Sequence, residues 1–553
     1  MIAPRPLVLV ALTIVALALP ALAGSAEGPP ATTPPDPCEL GIDVPGNANG
    51  LDKRCEAVGG GSGVARGDFN GDGIGDLAVG VPFEDIGGAI DAGAVNVIYG
   101  TILQGLRAEG NQFLHENSAG VGGASESNDH FGYSLAAGDF NGDGMSDLAV
   151  GVPEQDSGSA FPDWGKVSVF RGTADGLVYH RLLTGDYGRS GAALAWGDFD
   201  NDGYGDLAIG SPNADVFDPF FSARRDAGTV TVEFGSAIGL GNPEVLWFKL
   251  AQTADGTVDL DVGDSSEPND HFGAALAAGD FDNDGLDDFA IGVPNEDVNL
   301  FGTDEGMAHL VFGAENGFSR RVTHTAANWC SVSSCGPQNN AQFGRVLAMG
   351  DAVAEAPGEE LFVGAPYHDG LTSSGTRVAD SGIVYYRTSL GNRFLRQQGS
   401  GSGDALEAGD RFGWAIALGN FDGVGVKEFA VGAPGEDIGA VANAGVVHVL
   451  VHNGQSQVWS QDSSGVPDSA EAGDTFGASL SAWNFGRGTP TDLAIGVPYE
   501  DSGGLTNLGF VQVTYGGFST GVGNAGSVQT WSQATTGIEG DAESNDLFGY
   551  SLY

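Results

Sequence analysis

One segment recurs seven times along this chain, and that recurrence limits the fold more than any other feature. Its clearest copy is FGYSLAAGDFNGDGMSDLAVGVP, Phe131 to Pro153. An anchor residue falls at Asp68, Asp139, Asp198, Asp280, Asp351, Asn420 and Asn484, so the copies are spaced by about 69 residues on average. Each copy ends on a variant of Gly-x-Pro: VGVP, VGVP, IGSP, IGVP, VGAP, VGAP and IGVP. A second alternating run follows in each, such as GAVNVIYG, GTVTVEFG and GFVQVTYG, and a looser one follows that, around Val458-Trp459-Ser460 and Thr530-Trp531-Ser532. Alternation with β-branched residues marks these runs as strands, and no segment shows a useful helical period. About four short antiparallel strands per copy is too much chain for a solenoid rung. A blade cannot cover both of its own faces, so the fold expected is all-β, a seven-bladed β-propeller of four-stranded antiparallel blades.

Between the first two strands of the first four copies lies a tight acidic loop. Its expected ligand positions are Asp68, Asn70, Asp72, Ile74 and Asp76 in copy one, and Asp139, Asn141, Asp143, Met145 and Asp147 in copy two. They are Asp198, Asp200, Asp202, Tyr204 and Asp206 in copy three, and Asp280, Asp282, Asp284, Leu286 and Asp288 in copy four. Side-chain oxygens at positions 1, 3, 5 and 9, with a backbone carbonyl at 7, suit a hard cation that takes six to eight oxygens at flexible angles. Three or four carboxylates in nine residues repel one another without a cation. Four Ca2+ ions are therefore expected. Position 12 is Val79, Val150, Ile209 or Ile291, inside a strand, which separates these loops from an EF-hand with its Glu between helices. Copies five to seven lose the pattern: Val353 and Glu355, then Val424 beside a retained Asp422, then Gly486 and Gly488. No metal, or at most a weak site, is expected there.

The chain holds 22 Lys and Arg against 73 Asp and Glu, a formal net charge of −51. Such a balance argues against nucleic acid and anionic membrane surfaces as partners. The four ligand sets contain 14 Asp, so most of the acidity is expected on the surface, as in Glu126-Ser-Asn-Asp129 and Glu267-Pro-Asn-Asp270.

Phe-Gly near the start of a copy and Gly-x-Pro near its end, bracketing Asp-x-Asp-x-Asp-Gly, resemble the FG-GAP repeat of integrin alpha chains. The pairs are Phe131-Gly132, Phe272-Gly273, Phe343-Gly344, Phe412-Gly413 and Phe476-Gly477; copies one and three lack one. The resemblance covers roughly 57–553 and implies the seven-bladed propeller, with calcium loops that rigidify blades in an extracellular binding or adhesion module. In integrins those loops lie in later blades, and the leg domains, membrane helix and beta-chain partner do not carry over. Bacterial secreted proteins with these repeats are a nearer comparison.

Residues 1–23 read as a cleaved export signal: Arg5, an apolar run from Leu7 to Leu19, then Ala21-Leu22-Ala23. Residues 24–56 read as a Pro-rich linker, and 57–553 as the propeller. Four cysteines in an exported chain suggest the disulfides Cys38–Cys55 and Cys330–Cys335. No segment approaches the 18 or so apolar residues of a membrane span.

Two motifs are read blandly. Arg66-Gly67-Asp68 shares its Asp with metal position 1. Gly517-Phe518-Ser519-Thr520-Gly521 matches a nucleophile elbow but occupies a turn that recurs in other copies, without the following helix such an elbow needs. The sequence ends on Phe548-Gly549-Tyr550-Ser551-Leu552-Tyr553, which repeats the opening of a copy. Copy one lacks that opening, so this stretch is expected beside copy one, closing the ring; an interrupted eighth copy is the rival. The functional expectation is a secreted, non-catalytic module that binds an extracellular protein or glycan. A secreted, phospholipase-like hydrolase with a propeller-face active site is the alternative, and a purely structural surface component is a third.

Overall fold

A computed structural model describes residues 67–553 apart from 157–162, 217–223, 244, 246, 253–259, 263–264, 300–301, 316, 331–334, 354–357, 373, 389–390, 398–404, 451–455, 519–520 and 524–527. The expected export signal, the linker and Cys38–Cys55 lie outside the described residues. Seven sheets follow one another around a ring, each with four antiparallel strands, and blade 3 adds a short fifth parallel to its neighbour. Blade 2 is typical, with strands Leu135–Gly138, Asp147–Val152, Lys166–Arg171 and Val178–Leu183 running from the axis outward. The second strand is buried along its whole length in every blade but the sixth, where Phe429 is partly exposed. Neighbouring blades cover both its faces, which explains its near-continuous apolar run of Leu, Ala, Val and Ile. The outer strand shows the opposite pattern, with Val178 and Trp247 exposed.

Cores form between blades. Phe131 and Val150 of blade 2 pack with Val95 and Val97 of blade 1, and Phe131 is fully buried. Removing such a ring from water stabilises by about 1.5–3 kcal/mol. The Gly of Gly-x-Pro has a steric task. A Cβ on Gly151 would meet the Gly191 carbonyl oxygen of the next blade at 2.1 Å. At Gly80 the obstacle is Gly132 O at 2.2 Å, so the inner strands approach closer than any side chain permits.

Two rings of backbone hydrogen bonds join the blades. At the Phe-Gly end, the Phe131 N–H donates to Ala92 O of the preceding blade at 2.9 Å, and Phe476 donates likewise to Ala444 at 2.9 Å. In copy three Ser190-Gly191 takes the place of the missing pair, with Ser190 N–H donating to Trp164 O at 3.1 Å. At the other end, position 8 of each acidic loop donates to position 1 of the loop before it. Examples are Ser146 to Asp68 at 2.9 Å, Gly205 to Asp139 at 2.8 Å and Thr491 to Asn420 at 2.9 Å.

The ring closes through the end of the sequence. Ser551–Leu552 is the inner strand of blade 1 and pairs with Leu77–Val81, Gly80 opposite Ser551. Phe548-Gly549 supplies the Phe-Gly pair that copy one lacks. Phe548 N–H donates to Leu508 O of blade 7 at 3.0 Å, and Gly75 N–H donates to Asn484 O at 2.9 Å. Tyr553 reaches the inner strands of blades 2 and 3, its hydroxyl donating to Ala137 O at 2.8 Å and accepting from Trp196 Nε1 at 2.6 Å. Blade 1 thus contains both sequence-distant ends of the propeller. A Cys330–Cys335 disulfide follows the outer strand of blade 4, after the one-turn helix Ala326–Trp329.

Candidate metal centres

The acidic loops line one end of the ring, between inner and second strands. Asp at position 1 begins each by folding the chain back on itself. The Asp139 carboxylate accepts the N–H groups of Gly142, Asp143 and Gly144 at 2.7, 3.1 and 2.8 Å. The Asp68, Asp198 and Asp280 carboxylates accept the same position 5 and 6 donors. Position 6 is Gly because φ there is +84 to +90°.

Position 9 is buried and tied from two sides. Asp206 accepts from Phe199 N–H at 2.8 Å and from Gly235 N–H, at the end of the third strand, at 2.9 Å. Asp76, Asp147 and Asp288 repeat both contacts. Both oxygens of each of these carboxylates accept a backbone N–H.

In the third and fourth loops three carboxylates converge. One oxygen from each of Asp198, Asp200 and Asp206 lies within 4.8 Å of the others, and Asp280, Asp282 and Asp288 do the same. Asp200 Oδ1 is buried there without a hydrogen-bond partner. That orphaned oxygen, in a cluster of anions, is what a cation satisfies. Burial, with the neighbouring acids adding to it, pushes Asp198 up to about 6, Asp288 to about 8 and Asp206 well above the carboxylate range. Burial likewise raises Asp147 to about 7 and Asp76 well above its ordinary value. The donor set is oxygen-only and flexible, which fits a calcium-like cation.

The remaining expected ligands are placed less uniformly. Asn70 and Asn141 stand at position 3 of loops one and two; Asn141 Nδ2 donates to Asp147 at 3.1 Å. Position 5 is exposed, and there Asp72, Asp143, Asp202 and Asp284 accept the position 7 N–H. Side chains at position 7 turn away from the loop: Met145 packs on Gly71 and Tyr204 on Gly142 of the preceding loop. Only the carbonyls of Ile74, Met145, Tyr204 and Leu286 remain as donors. Arg320 pairs with Asp282 at 2.7 Å, so the fourth loop shares one of its carboxylates with a guanidinium.

Blades 5 to 7 lack the cluster yet keep an acid at the start of the second strand. Asp492 accepts from Phe485 and Gly516 at 2.9 Å each, the same pair of bonds as Asp206. Glu428 accepts from Phe421 at 2.7 Å, and Glu360, one residue later in its loop, from Ala352 at 2.8 Å. Glu355 lies outside the described residues. In blade 7 Arg487 lies over Tyr515, 4.2 Å from its ring centre. Sequence reasoning passed over these three acids, whose signal was their place directly before each buried strand.

One expectation needs correction. Two acids expected at the surface are not there: Asp129 and Asp270 are buried, each accepting an N–H three residues back, from Glu126 at 2.6 Å and Glu267 at 2.5 Å. His130 and His271 are half-buried; His130 pairs with Glu154 and His271 contacts Asn295 at 3.2 Å. The Asp68 carboxylate is turned into its loop, so the Arg-Gly-Asp tripeptide does not present it. Gly516–Gly517 pairs with Gly521–Val522 in a two-stranded hairpin, which is the turn expected in place of a nucleophile elbow.

A second buried set was also missed. Glu84 accepts from Gln533 of the preceding blade at 2.6 Å, and Glu500 from Gln461 at 2.5 Å. Their signal is Glu-Asp after Gly-x-Pro, met by Trp-Ser-Gln one blade earlier.

The architecture is that of a β-propeller whose blades carry metal-type hairpin loops. Residues 60–98, 131–170, 190–232 and 272–311 match the FG-GAP repeat. Integrin alpha-5 of Xenopus laevis is 32% identical over 245 residues, 43% of this chain and 20% of that protein. Phosphatidylinositol-glycan-specific phospholipase D of Rattus norvegicus is 34% identical over 199 residues, 34% of this chain and 23% of the enzyme. The matched stretches thus span about a fifth to a quarter of these relatives' own length. An exotype rhamnogalacturonan lyase aligns with a TM-score of 0.36 at 11% identity, covering 75% of this chain and 68% of its own, and carries no argument. The chain carries FG-GAP repeats in an integrin-alpha-like β-propeller.

Proposed function

We propose that this chain is an exported, calcium-binding β-propeller that serves as an extracellular binding or adhesion module for a protein or glycan, without catalysis of its own. One observation carries the metal part: Asp198, Asp200 and Asp206 converge within 4.8 Å around a buried carboxylate oxygen that has no partner. Calcium in four loops would cross-link hairpins that already hydrogen-bond from blade to blade, and so stiffen the ring on which a ligand docks. The similarity to integrin alpha chains supports the binding role. No helix among the described residues is long and apolar enough to cross a membrane.

Titration calorimetry and metal analysis test the metal part, with four ions expected at affinities of roughly 10⁻⁴–10⁻³ M or tighter. One ion or none sinks it. A glycan and matrix-protein array, run with calcium and with chelator, tests the binding part. The similarity to a phospholipase D favours one second reading, a secreted hydrolase. Calcium-dependent cleavage of a phosphatidylinositol-glycan by the pure protein would establish it.

A further inference from the structure

The Phe-Gly end of the ring carries a different chemistry from the acidic loops. Each Phe-Gly pair there is entered through a residue with left-handed backbone, φ being 61° at Arg189 and 56° at Arg411. Backbone bonds hold these turns, as in Arg411 N–H to Asp380 O at 3.0 Å and Trp414 N–H to Arg411 O at 3.1 Å. The turn therefore fixes where the side chain leaves the ring. Arg345 follows directly after Gly344 of its own pair.

The chain treats these arginines unequally. Arg189 lies over Tyr133, 5.3 Å from its centre, and pairs with Glu154 at 2.6 Å. Glu154 stands immediately after the Gly-x-Pro of blade 2. The same place in blade 5 is Tyr367, and no acid replaces it. Arg345 lies 5.8 Å from the Tyr367 ring centre and 5.3 Å from that of Trp414. Arg411 lies 5.6 and 5.7 Å from the same two rings. The rings meet edge to face at 6.1 Å and are half-buried. Among the described residues neither guanidinium forms an ion pair. Arg345 donates only to Gln342 Oε1, at 3.3 Å. Asp380 senses the charge of Arg411 without reaching pairing distance.

Two like charges therefore share one aromatic pair and lack a counter-ion among the described residues, in a chain whose formal net charge is −51. Cation–π contact holds each guanidinium over a ring. Their N–H forks are left for a planar oxyanion, the bidentate partner that suits arginine. We infer that Arg345, Arg411, Tyr367 and Trp414 form a binding site for a carboxylate-bearing saccharide. The ligand carboxylate takes the role that Glu154 plays beside Arg189, and the pyranose ring lies on the half-exposed aromatic surface. A saccharide fits better than an acidic peptide because its carboxylates are spaced by neutral rings. A dense polyanion would meet the repulsion of the whole chain.

This rests on the binding-module reading and names its ligand class. The test is calorimetric titration with an alginate hexasaccharide, a maltohexaose and a hexaglutamate peptide, in calcium and about 0.15 M salt. Saturable binding of the alginate oligomer that weakens with salt is expected, with none of maltohexaose and at least about tenfold weaker binding of hexaglutamate. R345Q and R411Q should each lower alginate affinity by roughly tenfold or more, while R189Q, with its own carboxylate partner, leaves it within about twofold. Unchanged melting of the variants confirms that they fold. Absence of alginate binding, equal binding of hexaglutamate, or insensitivity to R345Q and R411Q would each overturn the site. A neutral glycan or protein ligand found by the array would leave the module reading standing without it.

Discussion

Blade 3 and blade 7 differ at the loop and agree just behind it. In blade 3 the loop holds Asp198, Asp200, Asp202 and Asp206; in blade 7 the corresponding residues are Asn484, Gly486, Gly488 and Asp492. Yet Asp206 and Asp492 accept the same two backbone N–H groups at 2.8–2.9 Å. Position 9 is thus first a residue of the fold. It ties the loop to the third strand of its own blade whether or not a cation is near. The acidic cluster of blade 3 stands on a carboxylate that the hairpin of blade 7 uses without one. The same holds for the loop-to-loop bonds, which run unbroken through both halves of the ring, Gly205 to Asp139 and Thr491 to Asn420.

The largest expected effect tests the junction of the two halves. Deleting residues 546–553 removes the inner strand of blade 1 and the bonds from Phe548 and Tyr553. Insoluble protein, or a melting temperature lower by roughly 10 °C or more, is expected. Unchanged melting and calcium dependence would show that the ring does not need this strand.

Next comes position 9 itself. D492A leaves two buried N–H groups without an acceptor, each costing about 1–3 kcal/mol. Its destabilisation should be the same with calcium and with chelator. D206A should cost as much in chelator and more in calcium, because it also removes an ion. Equal responses to calcium in the two variants would erase the distinction drawn between the blades.

D200A sharpens the comparison further. It removes the unpartnered oxygen and leaves the backbone bonds to Asp198 and Asp206 in place, so it should abolish one calcium site. In chelator the melting temperature should rise or hold, since a repelling charge is gone. D202A, at the exposed fifth position, should weaken that site less than D200A; metal counting by calorimetry ranks the two.

The smallest effect concerns pH. Burial raises Glu84 to about 8 and Glu500 to about 9, although Gln533 and Gln461 donate to them. The unfolded value is near 4.5. The folded state therefore holds these protons more tightly, and the resulting stability is complete below about pH 4.5. It is lost as pH rises through 8–9. Melting in saturating calcium should fall by a few degrees between about pH 6 and 9, and the E84Q/E500Q variant should flatten that slope. A rising profile would contradict the assignment. Because this lock serves the 7–1 and 6–7 junctions, it should act without regard to metal.

Much of this was legible in the residues alone. A seven-fold recurrence with strand-type alternation admits few folds, because each copy has apolar residues for two faces and cannot bury either by itself. The acidic loops were readable since metal ligands within one hairpin are local, and spacing alone places Asp198, Asp200 and Asp206 together. The repetition of Phe-Gly-Tyr-Ser at residues 548–551 pointed to closure for the same reason. What spacing could not supply was every relation between blades. That Glu84 meets Gln533, that Ser190 does the work of a Phe, that Tyr553 hydrogen-bonds Ala137 and Trp196, and that Arg345 and Arg411 share two rings all depend on residues brought together by the ring. Local sequence sets the blade. The approach of one blade to the next, close enough that Gly151 admits no Cβ, decides which acids and arginines meet partners across a junction.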